Sequence, residues 1–99
     1  MIKNGMRPVH PGEILHEDYL LPLGLSVNAL ASALHIPATR LHEIVKERRG
    51  VSPDTALRLA RYFDSSPEFW MNLQTAYDLK IAEQQIGATI AESISPRAA

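Results

Sequence analysis

Apolar residues recur along this chain in short helical stripes separated by proline, glycine and serine. Val27, Leu30, Ala31 and Leu34 stand at i, i+3, i+4 and i+7, one face of a helix. Ser26 precedes them as an N-cap, and His35-Ile36-Pro37 interrupts them. The next stripe is Leu41, Ile44 and Val45, which predicts a helix from Pro37 to just before Gly50. Upstream, Pro11 at a first helical position and Glu13 in the first turn predict a helix that runs to about Leu20 and stops before Pro22.

Ser52-Pro53-Asp54 and Ser66-Pro67-Glu68 repeat one start signal: a cap, a proline at the first position, an acid in the first turn. The first opens a mostly buried helix holding Ala56, Leu57, Leu59, Ala60 and Phe63. The second opens a helix to about Gln85. Ile86, Ile90 and Ile94 continue at a spacing of four, but Gly87 weakens that segment and Pro96 ends it. No stretch alternates like a strand. The expectation is an all-α, compact five-helix, lambda-repressor-like helix-turn-helix domain. It has an arm at 1–10, a body at 11–85 including a dimerisation helix at 67–85, and a tail at 86–99.

The helix-turn-helix follows from spacing. Only "HIPATR" separates Leu34 from Leu41, room for a turn of three or four residues. The second helix of such a pair lies in the major groove of double-stranded DNA. Its outward positions would be Ala38, Thr39, Arg40, His42, Glu43 and Lys46. Arg40 can fork to guanine, Thr39 or Ala38 can pack on a thymine methyl, and Glu43 can accept from a cytosine amine. Ser26, Asn28, Lys46, Arg48 and Arg49 are placed for phosphates. The plainer alternative is a solvated helix whose Glu43 and Glu47 pair with its own cations.

Charge narrows the picture. The 99 residues carry a net charge of −1, yet residues 37–52 hold Arg40, Lys46, Arg48 and Arg49 against Glu43 and Glu47. Any grip on phosphate must therefore be local. There is no cysteine, which excludes disulfides and thiolate metal sites. No apolar run approaches a membrane span and no signal-peptide layout opens the chain, so the expectation is a soluble, cytoplasmic protein. His10, His16, His35 and His42 are scattered without an H-x-x-x-H pair, and no nucleophile–base pair is visible. Neither a cofactor nor an enzyme activity is expected. In the last helix Trp70, Leu73, Tyr77 and Ile81 form one stripe with Phe69 beside it, either core or a homodimer seam.

"HPGEIL", "LASALHIPATRLHEIVKERRGVSPDTALRLARYF" and "SPEFWMNLQTAYDL", in that order, resemble the HigA-type antitoxins of the Xre/Cro-like helix-turn-helix group. The resemblance implies a bacterial type II toxin–antitoxin system. It implies an antitoxin that neutralises a HigB-type, mRNA-cleaving toxin and, as a homodimer, binds operator DNA to repress its own operon. It also places base reading at Ala38 to Lys46. Two positions depart from the pattern: His35 and Glu47 stand where glycine is usual. His35 is then expected in the left-handed region, and Glu47 predicts a recognition helix one turn longer. A stand-alone repressor and a protein-binding inhibitor without DNA affinity stay open as alternatives. A His/Glu metallohydrolase has the least support.

Overall fold

The computed structural model describes residues 7–98, so most of the 1–10 arm lies outside the described residues. Five helices follow one another, with no strand among the described residues. The first, α1, occupies residues 11–23 in three parts: Pro11–Ile14, a π-helical stretch Leu15–Leu20, and a last turn Leu21–Leu23. Then come α2 (Val27–Leu34), α3 (Ala38–Val45), α4 (Pro53–Phe63) and α5 (Pro67–Ser93).

The first helix corrects the expectation of a stop before Pro22. In a regular helix a proline ring strikes the carbonyl four residues back. Here the π-helical stretch widens the turn ahead of it, with Leu21 N–H bonded to His16 O. The chain passes Pro22 and closes at Gly24, which takes φ 61. Its start is capped by a side chain: His10 Nδ1 accepts from Gly12 N–H at 2.9 Å. His10 is buried and its ring meets Tyr77 edge-on at 4.8 Å.

Burial pushes the His10 pKa below its ordinary value. Unfolded histidine titrates near 6.5. Between that value and the lower folded one, the unfolded chain binds the extra proton, so stability falls as pH drops below about 6.5. Urea midpoints at pH values of about 7.5 and 5.5 should show this loss. His10→Asn, which keeps an acceptor cap without the titration, should reduce it.

The helix starts at Ser26, Ser52 and Ser66 are side-chain capped, onto Ala29, Thr55 and Phe69 N–H respectively. Among the described residues three that are not glycine take left-handed backbone angles: His35 (φ 59), Glu47 (φ 63) and Asp64 (φ 54). Glu47 therefore corrects the expectation of a longer α3. It adopts the glycine-like conformation itself, Arg48 N–H bonds Glu43 O at 2.8 Å, and the helix ends at Val45.

The core joins Leu15, Leu30, Leu34, Leu41, Ile44, Leu59 and Trp70, with Ile36 plugging the turn between α2 and α3. Trp70 is fully buried between Tyr19 at 5.2 Å and Phe69 at 5.0 Å. Gln74, also buried, accepts from Val51 N–H at 2.6 Å and donates to Asp78, so α5 pins the loop between α3 and α4.

The last helix outruns the expected end at Gln85. It is one helix of 27 residues, and the residues after 85 are its continuation rather than a separate tail as far as Ser93. Gly87 is tolerated because a single glycine costs only about 1 kcal/mol within a long helix. Its outer half projects from the body, which gives the molecule extents of 53 × 25 × 25 Å.

Candidate nucleic-acid interface

Two helices and one strained residue build the site. Ser26 Oγ caps α2 at Ala29 N–H, 3.0 Å away. At the other end His35, in the left-handed region, turns the chain, and its N–H bonds Ser32 O at 3.1 Å. Ala31 and Leu34 on α2 and Leu41 and Ile44 on α3 are buried, so the facing sides of the two helices are fixed. The backbone of α1 closes the other side of α3. A Cβ on Gly12 would lie 1.9 Å from Ile44 O.

What α3 leaves outward is a mixed polar face. Thr39 and His42 are exposed, as are Lys46, Arg48 and Arg49 just beyond the helix. Ala38 differs from its expected outward place: it is half-buried and packs against the core. Arg40 and Glu43 are half-buried, and each is held by a partner. Arg40 Nη1 donates to Asp54 Oδ2 at 2.8 Å, and Arg49 Nε donates to Glu43 Oε1 at 2.8 Å. Asn28 Oδ1 and His42 Nε2 lie 2.9 Å apart, which ties the start of α2 to α3.

The phosphate candidates divide accordingly. Lys46 and Arg48 have no side-chain partner among the described residues, whereas Arg49 is committed to Glu43. Ser26 spends its oxygen on the cap and keeps its hydroxyl hydrogen to donate. Asp54 carries two arginines. Arg58 Nε lies 3.1 Å from the oxygen that Arg40 also uses, and the two hydrogen bonds, Arg58 first, hold the carboxyl below its ordinary pKa.

This arrangement has clear relatives. The helix-turn-helix family matches residues 17–70. The antitoxin HigA of Pseudomonas aeruginosa, solved with the higBA promoter, is 48% identical at a TM-score of 0.91, covering 93% of this chain and 100% of that one. The chain belongs to the HigA-type antitoxins. The antitoxin GraA, solved in complex with its operator, is 52% identical with a TM-score of 0.90 and 100% coverage of both chains. Virulence-associated protein I of Dichelobacter nodosus is 61% identical over 82 residues, 83% of this chain and 76% of that protein.

In this HigA-type chain the helix-turn-helix does not use every residue singled out by spacing. Trp70 belongs to the core, Tyr77 is half-buried against His10, Leu73 and Ile81 are half-buried, and Phe69 beside them is exposed. Further along α5, Leu79, Ile86 and Ile90 are exposed, followed by Ile94, on the side away from Trp70. Of Asp54 and Arg58, now central to the site, Asp54 reads in the sequence only as the acid of a helix start, and Arg58 is not singled out there. The pair at i, i+4 was a visible signal. The bond from Arg40 to Asp54, 14 residues on, had none. The histidines serve separate ends, and no three His, Asp or Glu among the described residues could hold a metal ion. No helix among the described residues is long and apolar enough to cross a membrane.

Proposed function

We propose that this protein neutralises a HigB-type, mRNA-cleaving toxin and, as a homodimer, binds its operator and represses its own operon. The observation that carries the proposal is the outward face of α3. It presents Thr39 and Arg40 at its start and, beyond its end, Lys46 and Arg48, which have no side-chain partner among the described residues, on a body superimposable on antitoxins solved with promoter or operator DNA. The front can read base edges, and the back can hold phosphates. Ser26 and Asn28 approach the same backbone from the start of α2, and Glu43 reaches bases once DNA competes for Arg49. The exposed stripe of Leu79, Ile86, Ile90 and Ile94 supports pairing of two copies through α5, since a single chain leaves it in water. The protein has no catalytic part in this reading.

Arg48→Ala is expected to weaken operator and unrelated DNA about equally and to lower the salt slope by about 1. Titrations at several salt concentrations measure both. A loss confined to the operator would move Arg48 from phosphate to base. The toxin half is tested by co-expression with the small protein encoded beside this gene. Co-purification, with relief of growth arrest, supports the antitoxin reading. Arrest that persists with no complex leaves a stand-alone repressor.

A further inference from the structure

The arginine at the front of α3 is the end of a relay. Arg58 Nη1 donates to Leu34 O at 2.8 Å and to His35 O at 3.4 Å, which anchors it to carbonyls at the end of α2. Arg58 Nε and Arg40 Nη1 then share Asp54 Oδ2, at 3.1 and 2.8 Å. Three elements are joined through one carboxylate: the end of α2, the start of α4 and the start of α3.

That carboxylate does two things to Arg40. A guanidinium is a rigid planar fork, so fixing one Nη restrains its plane while leaving other N–H groups to donate. A bidentate contact to guanine O6 and N7 needs that restraint. Packing supplies only part of it, because an open cleft of about 390 Å³ lies beside Arg40, bordered by Arg49, Ser52 and Thr55. Asp54 is also 54% exposed in its side chain, so it presents negative charge on the surface that meets phosphates. For affinity alone that charge has the wrong sign.

We propose that Asp54 is a specificity-determining residue: it fixes the plane of Arg40 for one base pair and withholds that arginine from phosphates. The inference rests on the reading of α3 as the base-contacting helix. Asp54 thereby trades affinity for any DNA against discrimination of the right one.

The test titrates wild type, Arg40→Ala, Asp54→Asn and the double variant against three kinds of duplex. These are the protein's own promoter operator, the operator with each base pair changed in turn, and an unrelated sequence. Arg40→Ala should lose about fivefold to a hundredfold on the operator and become indifferent to one base pair. Asp54→Asn should lose roughly threefold to tenfold of the discrimination at that same base pair, and gain roughly twofold to fivefold on the unrelated duplex. The double variant should discriminate there no worse than Arg40→Ala alone. If Arg40→Ala abolishes the preference while Asp54→Asn keeps it in full, Asp54 has no such role and the reading of α3 stands. If Arg40→Ala keeps the preference, both fail together. A lowered melting temperature with equal loss on every duplex would make Asp54 merely structural and overturn the proposal.

Discussion

Trp70→Ala should destabilise the protein by about 3–5 kcal/mol. The indole is fully buried, is contacted by Tyr19 and Phe69, and sits where α5 meets the rest of the core. Removing it leaves a cavity that the surrounding helices cannot close. A domain of this size has only about 5–15 kcal/mol in hand, so the loss is a large share of the total. The melting temperature should fall by roughly 15–30 °C, as followed by circular dichroism. The Trp70 Nε1 has no hydrogen-bond partner among the described residues, so its contribution is packing rather than polar pairing. Trp70→Phe should therefore be much milder. A variant that melts like wild type but becomes monomeric would place Trp70 at a subunit seam instead.

Gly12→Ala is the second large effect, and it comes from a single methyl group. The added Cβ would lie 1.9 Å from Ile44 O and 2.8 Å from Ile44 C, both backbone atoms of α3. Backbone cannot rotate away as a side chain does, so α1 must separate from α3. A cost of about 3 kcal/mol is expected, at the upper end for overpacking. Operator affinity should fall as well, because the helix pushed aside is the one that carries Arg40. The same substitution at Gly87 is the control. Its Cβ would meet only Glu83 Cβ at 3.8 Å, so alanine should raise stability by about 0.5–1 kcal/mol through helix propensity. Opposite signs in a urea titration would separate close packing from propensity.

These two glycines also show where the sequence was legible. Helix starts are local events: a serine oxygen bonding an N–H three residues on is readable at Ser26, Ser52 and Ser66. The left-handed turn at His35 was legible only through the resemblance, in which glycine is usual at that position. Gly12 was not, since nothing near it in sequence indicates that Ile44 O will lie against it. Pro22 misled because the usual rule assumes an α-helical turn, and a π-helical one removes the clash. Glu47 misled in the opposite sense. The conformation matched glycine although the residue did not, so the helix ended where a glycine would have ended it. In the site, the basic cluster at 40–49 was plain, but its internal order was not. The pair of Arg49 with Glu43 is the local pairing that the plainer alternative offered, but that of Arg40 with Asp54 depends on how α3 and α4 cross, which no local pattern specifies.

The charge of the whole chain is reconciled by the same pairing. A net charge of −1 does not oppose DNA binding when Lys46 and Arg48, which have no side-chain partner among the described residues, stand together at one end of α3. Glu68, Asp78, Glu83 and Glu92 of α5 lie on a different element from Lys46 and Arg48.

The most direct test is titration and footprinting of the purified protein on the promoter of its own operon, against an unrelated duplex at the same salt. The account predicts binding at least about 10³-fold tighter to the promoter, with two protected half-sites centred roughly 34 Å apart along the helix axis. Equal affinity for both duplexes, without a defined footprint, would contradict it.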